Sequence, residues 1–180
     1  MIRLFDILIS SLGLIILLPI LMLLWTIGLF ESGSPLFFQK RVGRNQKIFT
    51  LIKFRTMKKN TGSIATHLVN NSMITLYGSF LRRTKLDETP QLLNVLLGEM
   101  SFVGPRPCLS NQKKLIKERK KRGVFKFKPG ITGLAQVSKI NMKTPTLLAK
   151  TDQIMIKNMN LYKYFYYIFK TLLITFRLQF

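Results

Sequence analysis

Two neighbouring acids, Asp87 and Glu88, lie in a strongly basic stretch of the sequence. The chain has 29 Lys and Arg against seven Asp and Glu, a formal net charge of +22, and three cations directly precede the acidic pair: Arg82, Arg83 and Lys85. Nearby cations favour the ionised form of a carboxylate, which can then attack phosphorus while the same cations bind the phosphate oxygens. The chemistry indicated is phosphoryl transfer through an aspartyl intermediate.

Helix capping explains the same pair without any catalysis. Thr89 and Pro90 suit the N-cap and first position of a helix that ends near Gly98. An acid next to a helix start contributes about 0.5 to 2 kcal/mol as a cap. Spacing alone favours this structural role, and both interpretations stay open at this point.

Further candidate phosphate-binding cations lie on both sides of the acidic pair. The segment from Lys47 to Met57 is rich in β-branched and aromatic residues, which predicts a strand carrying Lys53 and Arg55. Arg106 lies between two prolines, so its backbone is stiff and loses little entropy when the guanidinium binds a ligand. Each of these cations could equally be solvated or face lipid.

The composition restricts the kinds of partner and metal site. A charge of +22 exceeds what solubility needs and indicates anionic partners: nucleic acid, anionic lipid or phosphorylated substrates. The single Cys108 and single His67 exclude an internal disulfide and a cysteine or histidine metal cluster, and we expect both to be structural. Neither GxxxxGK[ST] nor GxGxxG occurs. A bound metal would be a hard ion held by oxygen ligands.

An uncharged apolar segment runs from Ile7 to Phe30. As a helix it would be roughly 36 Å long, enough to cross a bilayer. Pro19 lies at its midpoint, where it removes a hydrogen bond and kinks or breaks the helix. A kinked single span and a re-entrant hairpin with both ends on the cytoplasmic side are both compatible with the sequence.

The sequence changes abruptly after Glu31, which divides the chain into a membrane segment, 1–31, and a basic body, 32–180. The body is predicted to contain a loop over residues 58–71, a weak helix from Ile74 to Arg83, a basic helix over 111–123 and a loop in "FKPGITGLAQV". Cations recur every seven residues in the apolar segment 161–180, which predicts a helix lying in the membrane interface. A terminal helix packed on the core is the alternative.

Four motifs in a fixed order resemble the bacterial sugar transferases, monotopic phosphoglycosyl transferases that act on polyprenyl phosphate. They are an apolar segment with a central proline, "PLFFQKRVGRNQKIFTLIKFRTM", "LRRTKLDETPQLLNVLLGEMSFVGPRP" and "KPGITGLAQV". The resemblance implies an α+β, mostly helical fold, with a re-entrant membrane helix hairpin broken at Pro19. It also implies a small cytoplasmic catalytic body with short strands, held on the inner face of the bacterial cell membrane.

The resemblance also implies a reaction and roles for individual residues. Asp87 attacks the β-phosphate of a UDP-sugar and releases UMP, and polyprenyl phosphate then accepts the sugar phosphate. Glu88 assists through Mg²⁺ or proton transfer, so both acids are candidate Mg²⁺ ligands. The resemblance implies that the remaining motif residues bind the phosphates or the substrate: Lys53, Arg55, Arg82, Arg106, Gln91 and Gln136.

Several positions depart from the family's usual residues. Leu18 stands where a serine often precedes the hairpin proline, Thr89 alters the common LDELPQ, and Leu134 and the stretch 138–141 replace a Trp and an Asn-Gly-Arg-Asn. The stretches "ATHLVNN", "RPCLSNQ" and "MKTPTLLAKTD" resemble a subgroup that handles deoxy-amino sugars such as N-acetylquinovosamine or diacetylbacillosamine. The expected partners are therefore a UDP-sugar, polyprenyl phosphate and membrane lipid of the inner leaflet, with no expectation about oligomeric state.

The alternative from another functional class is a membrane-anchored nucleic-acid-binding protein. The +22 charge and the "KKLIKERKKR" run favour it. No nucleic-acid recognition module is visible in the sequence, so we do not expect nucleic acid as a partner.

Overall fold

The computed structural model describes residues 1–59 and 73–177, and the fold in this part of the chain is α+β and mostly helical, as predicted. The helices are α1 (Ile2–Ser32), α2 (Leu76–Thr84), α3 (Gln91–Leu96), α4 (Lys113–Lys121), α5 (Leu134–Val137), α6 (Pro145–Lys157) and α7 (Leu161–Arg177). The strands are β1 (Leu36–Val42), β2 (Ile48–Phe54), β3 (Ser101–Val103) and β4 (Gly130–Thr132). Most of the predicted loop over 58–71, including His67, lies outside the described residues.

Helix α1 is one continuous helix, and its backbone stays helical through Pro19. In the described part of the chain it alone is long and apolar enough to cross a membrane. The helix ends where Gly33 adopts a left-handed conformation, φ 65°, and its N–H donates to the carbonyl of Leu29. This end lies next to the predicted change of composition at Glu31.

The two ends of α1 pack on different parts of the same body. Near its start, apolar residues contact β3, α6 and α7, where Tyr164 and Tyr167 are buried. Near its far end, Leu24 packs with Phe54 of β2 and Leu81 of α2. The middle of the helix, residues 15–20, is mostly exposed.

Strands β1 and β2 form an antiparallel hairpin, which confirms the strand predicted between Lys47 and Met57. The side chain of Asn94 in α3 holds β2 from the side, because its Oδ1 accepts the N–H of Ile52 at 3.0 Å and its Nδ2 donates to the carbonyl of Thr50 at 2.8 Å. Asn94 is fully buried. The hairpin and α3 are therefore fixed to each other.

Strands β3 and β4 pair in parallel, and β4 lies in a segment for which the sequence predicted only a loop. The interpretation of "FKPGITGLAQV" as loop was therefore wrong: this segment contains β4 and the short helix α5. Gly104 and Gly130 cross so closely that a Cβ on Gly130 would lie 2.0 Å from the backbone nitrogen of Gly104. Local sequence signals do not report such a contact between distant segments, which is why the strand was missed.

Helices α4 and α6 are joined by a fully buried ion pair. Arg119 and Asp152 have 2% and 0% of their side chains exposed, and the guanidinium Nη2 lies 2.7 Å from the carboxylate Oδ2. Helix α7 confirms the helix predicted from Leu161, and it combines a buried face with exposed aromatic residues such as Tyr162 and Phe169.

Candidate active site

The acidic pair lies in a single 3-10 turn, Leu86–Glu88, between α2 and α3. Lys85 enters this turn with φ 62°, a left-handed conformation that costs a non-glycine residue about 1 to 2 kcal/mol. The expected N-cap role of Thr89 was wrong, because its hydroxyl donates to the carbonyl of Leu86 at 2.7 Å and Pro90 occupies the cap position. Capping by Thr89 therefore does not account for this part of the sequence.

Glu88 is paired with Arg106. The Nη2 of Arg106 donates to the Oε1 of Glu88 at 2.5 Å. Burial alone would raise the pKa of Glu88, but Arg106, with Lys85 and Lys53, holds that pKa below its usual range. Glu88 is therefore ionised and held in one orientation, while the Arg106 side chain keeps 42% of its surface exposed for a further ligand.

Asp87 has a different environment from its neighbour. Its side chain is buried, and among the described residues its carboxylate makes no hydrogen bond. Burial, followed by the charge of Glu88, raises the pKa of Asp87 to about 6, against the opposing effect of Lys53, Lys85 and Arg82. A carboxylate without hydrogen-bond donors, surrounded by cations, is suited to nucleophilic attack.

Lys53 and Arg82 face Asp87 from β2 and α2. Burial and nearby Arg41 lower the pKa of Lys53 to about 8, while Asp87 and Glu88 oppose this shift. The Nζ of Lys53 lies 5.4 Å from the ring centre of Phe37, its cross-strand neighbour. Two of the cations predicted from sequence are thus close to the acid.

Close packing of α2 against the end of β2 positions Arg82. Thr75 caps α2 by accepting the N–H of Gly78 at 2.9 Å, and a Cβ on Gly78 would lie 2.1 Å from the carbonyl oxygen of Thr56. The same Thr56 accepts a hydrogen bond from the Nε of Arg82 at 2.8 Å. Only a glycine at position 78 lets the helix approach closely enough for this contact.

Arg106 is positioned by the segment between its two prolines. The Nη1 of the buried Arg119 donates to the carbonyl of Arg106 at 2.8 Å, so the ion pair between α4 and α6 fixes this backbone. Gln136 donates from Nε2 to the carbonyl of Gly104 at 3.2 Å. The side chain of Arg106 therefore projects from a stiff loop held on both sides.

A cavity of about 330 Å³, which we call the substrate cavity, is lined by Lys85 and Arg106, the two neighbours of the acidic pair, but not by Asp87 or Glu88 themselves. Its lining combines four cations with apolar residues of α5, α6 and the segment between them. The lining residues are Arg41, Lys85, Arg106, Ala135, Gln136, Lys139, Ile140, Asn141, Met142 and Leu148. A space of this size with converging polar groups fits a small phosphorylated ligand.

The remaining predicted site residues lie at varying distances from this centre. Gln136 lines the substrate cavity. Gln91 is buried at the start of α3. Arg55 lies beside Phe37 on the same side as Lys53, but its Nε donates to the carbonyl of Ser34 at 2.8 Å and so supports the loop before β1.

Three functional residues were missed by sequence reasoning: Arg41, Arg119 and Asp152. Arg41 is buried, its Nη2 donates to the Oε1 of Gln39 at 2.5 Å, and it lines the substrate cavity. The alternation of β1 places Gln39 and Arg41 on one face, which is a signal that could have found Arg41. The pairing of Arg119 with Asp152 joins residues 33 positions apart and leaves no local signal.

A comparison of the sequence with known families decides between the alternatives. The family model described as "Bacterial sugar transferase" matches residues 1–178. The chain belongs to the bacterial sugar transferase family. The acidic pair and the cations around it all lie within the matched residues.

Individual relatives give the same result. The chain is 36% identical to the undecaprenyl-phosphate galactose phosphotransferase of Salmonella typhimurium over 189 residues, which is 94% of this chain and 39% of the relative. It is 43% identical to the UDP-glucose:undecaprenyl-phosphate glucose-1-phosphate transferase of Klebsiella pneumoniae over 152 residues, 81% of this chain and 32% of the relative. It is 33% identical to the exopolysaccharide production protein ExoY of Sinorhizobium fredii over 188 residues, 94% of this chain and 83% of the relative. The chain thus spans well under half of two of these relatives and most of the third.

Proposed function

We propose that this protein transfers a sugar 1-phosphate from a UDP-sugar to polyprenyl phosphate, as an early membrane step in bacterial glycan assembly. The observation that carries the proposal is the contrast within the acidic pair. Glu88 is ionised and held by Arg106, whereas Asp87 is buried without hydrogen bonds among the described residues. Lys85 and Arg106, which lie near the pair, line the substrate cavity. Family membership and the activities for which the Salmonella and Klebsiella relatives are named support the same reaction.

The reaction proceeds in two displacements at the β-phosphorus. An Oδ of Asp87 bonds to the β-phosphorus as the bond to the bridging oxygen breaks, and the bonding electrons leave with UMP. An oxygen of polyprenyl phosphate then attacks the same phosphorus, and the carboxylate of Asp87 leaves unchanged. Lys53, Arg82 and Arg106 bind the phosphate oxygens, whose negative charge shifts during each displacement.

The site fits Mg²⁺ as a cofactor. Mg²⁺ in phosphoryl-transfer sites is held by one or two carboxylates together with substrate phosphates and water, and no cluster of three or more acidic, His or Cys side chains occurs among the described residues. Asp87, which has no hydrogen-bond donor there, and Glu88 would hold it. When bound, the ion would screen the diphosphate charge.

The donor sugar is proposed to be a deoxy-amino sugar. The part of the substrate cavity formed by residues 139–142 combines the amide of Asn141 with the apolar side chains of Ile140 and Met142. An amide can bond an acetamido group, and an apolar wall suits a methyl group where a hexose carries a hydroxyl. The stretch 138–141, which departs from the family's usual residues, thus contributes to the lining of the substrate cavity.

Purified protein with Mg²⁺, polyprenyl phosphate and a panel of UDP-sugars is expected to release UMP, and fastest with a UDP-deoxy-amino sugar. The difference from UDP-galactose or UDP-glucose should be about 10- to 100-fold, because a hexose would place a hydroxyl against the apolar side chains of Ile140 and Met142. Luminescent UMP detection measures the rates. Faster release from a hexose would refute the sugar assignment alone, and no release from any UDP-sugar would refute the reaction.

Helix α1 is proposed to be re-entrant, entering and leaving the membrane on the cytoplasmic face, with a bend at Pro19 in place of the predicted break because the helix is continuous there. Both ends of the helix contact this body: Arg3 donates to the carbonyls of Val95 and Leu96, and Tyr77 donates to the carbonyl of Leu24 at 2.6 Å. A straight helix of this length spans about 46 Å, so crossing the bilayer would carry part of the charged body into the hydrocarbon core. The exposed apolar residues about Pro19 suit insertion into lipid.

Cysteines placed at both ends of α1 should react from the same side of the membrane. Leu4→Cys and Glu31→Cys are suitable because both side chains are exposed, and the single native Cys108 is buried and can be replaced by Ala. A membrane-impermeant maleimide applied to inverted vesicles is expected to label both variants, as it labels Lys120→Cys on the body. Labelling of Leu4→Cys and Glu31→Cys from opposite sides would establish a single span instead.

Helix α7 is proposed to lie in the membrane interface. Its exposed aromatic and apolar side chains include Tyr162, Phe165, Phe169 and Leu172, and Lys163 and Lys170 belong to the same helix. Its buried Tyr164 donates to Asp6 of α1 at 2.8 Å. The sequence left open whether this helix packs on the core or lies on lipid. One face of α7 packs on the core, and the other exposes side chains suited to lipid.

A further inference from the structure

A second cavity, of about 300 Å³, lies between the first turns of α1, the end of α6 and residues 126–128. We call it the α1–α6 cavity. Its lining includes neither acid of the active site and none of Lys53, Arg82 and Arg106. The proposed reaction therefore gives it no role.

The lining of the α1–α6 cavity includes four cations: Arg3, Arg44, Lys126 and Lys128. Among the described residues, none of the four forms an ion pair. Lys128 is half-buried, and burial, Arg3 and Arg44 lower its pKa against the opposing effect of Asp6. Cations this close without an acidic partner repel one another, and an anion bound among them would relieve that repulsion.

The one acid in the lining, Asp6, offsets only part of this positive charge. Asp6 is buried, and its Oδ1 already accepts hydrogen bonds from the hydroxyl of Ser101 at 2.9 Å, the N–H of Phe102 at 3.1 Å and the hydroxyl of Tyr164 at 2.8 Å. These bonds fix α1 to β3 and α7. The ligand favoured by the remaining charge is therefore an anion.

The same cavity also has apolar lining residues. They include Ile2 of α1 and three residues at or just after the end of α6, Met155, Ile156 and Met159, which we call the methionine wall. Flexible methionine side chains adapt to irregular hydrocarbon groups. Cations and apolar side chains in one cavity suit a phosphate that is joined to a hydrocarbon chain.

We propose that the α1–α6 cavity binds the phosphate group of an anionic membrane phospholipid, with the start of the acyl region against the methionine wall. This inference rests on the membrane attachment in the proposed function, because α1 and the start of α7 bring the cavity to the lipid surface. Lys128 is the central contact, and Arg44 and Lys126 reach the phosphate from the rim. Arg3 is held by the carbonyls of Val95 and Leu96 and contributes mainly its charge.

Native mass spectrometry of the full chain with phosphatidylglycerol tests the site. Lys128→Gln and the double variant Arg44→Gln with Lys126→Gln are compared with Lys120→Gln and Lys121→Gln, which remove the same charges from an exposed part of α4. Each cation lost from the cavity should weaken phosphatidylglycerol binding by about fivefold, the factor expected for one Lys or Arg at an anionic membrane. The α4 variants should bind phosphatidylglycerol nearly as wild type does.

Two further measurements are needed. One distinguishes a phospholipid from a soluble phosphate as the ligand, and the other distinguishes lipid binding from the proposed transferase reaction. Glycerol 3-phosphate and inorganic phosphate should bind at least tenfold more weakly than phosphatidylglycerol; equal binding would mean a soluble ligand and would overturn the lipid assignment. Equal weakening by the cavity and α4 variants would mean that only net charge matters, and would also overturn it. UMP release in detergent should be unchanged in Lys128→Gln, and because lipid binding is measured without turnover, failure of the proposed reaction leaves this test intact.

Discussion

Replacing Asp87 with Asn is expected to reduce UMP release from the UDP-sugar by at least about 10³-fold, the order of loss seen when a covalent nucleophile is removed. The amide cannot form the acyl phosphate, while Lys53, Arg82 and Arg106 remain to bind the diphosphate. The KM for the UDP-sugar should therefore change little and kcat should collapse. Release of UMP is followed in the presence and absence of polyprenyl phosphate.

The same substitution is expected to stabilise the protein. The pKa of Asp87, about 6 in the fold, exceeds its ordinary value of 3.8, so the folded state holds the proton more tightly and stability falls as the pH rises through that window. At pH 7 the ionised carboxylate lowers the free energy of unfolding by at most about 3 kcal/mol. Replacing it with an amide should therefore raise the temperature midpoint of unfolding by about 5 °C.

Wild-type UMP release should fall as the pH is lowered through about 6, because a protonated Asp87 does not attack.

The matched control for this variant is Glu118→Gln. Glu118 is an acid on α4, paired with Arg122 away from the active site, so the same change of carboxylate to amide should leave turnover intact. Undiminished turnover in Asp87→Asn would contradict the nucleophile assignment. Loss of activity together with a lower unfolding midpoint would point to misfolding instead.

Replacing Arg106 with Gln should lower kcat/KM by about 10² to 10³-fold, the usual effect of removing a donor that stabilises transition-state charge. It should also raise the pKa of Glu88, because burial raises that pKa and Arg106 is the main group opposing the rise. The acidic limb of the pH–rate profile, which Asp87 sets in the wild type, should then also carry the titration of Glu88, and so become steeper or move to higher pH. Stopped assays between pH 5 and 9 measure both effects.

Two comparisons separate this electrostatic role from a structural one. Arg106→Lys keeps the charge and should restore part of the rate, whereas Lys120→Gln removes an exposed cation of α4 and should have no effect. A pH profile that keeps its position in Arg106→Gln, with only the rate reduced, would contradict the control of Glu88 by Arg106.

The sequence allowed the centre of the site to be predicted because its residues lie in short, distinctive motifs. Asp87 and Glu88 are adjacent, Arg82 lies on the helix just before them, and Arg106 lies in a stiff loop of its own. The structure brings these residues together with Lys53, as the family resemblance implies. Their different ionisation depends on burial and on the contact with Arg106, which no local pattern encodes.

Other features of the fold depend on contacts between distant segments. The ion pair of Arg119 with Asp152 and the crossing of Gly104 with Gly130 are both of this kind. The cap predicted at Thr89 was wrong for a more local reason. The acids lie in a 3-10 turn, and the hydroxyl of Thr89 donates to the carbonyl of Leu86 in that turn. Capping rules apply where a helix follows directly, and here a separate turn intervenes.

The covalent intermediate on Asp87 is the central claim, and mass spectrometry of the protein mixed with UDP-sugar and Mg²⁺ without polyprenyl phosphate tests it most directly. After rapid quenching and digestion, the peptide containing Asp87 should carry the added mass of one sugar phosphate, which also identifies the sugar. Addition of polyprenyl phosphate before the quench should remove the adduct. An adduct on Glu88 or elsewhere, or UMP release that needs polyprenyl phosphate and leaves no adduct, would contradict the account.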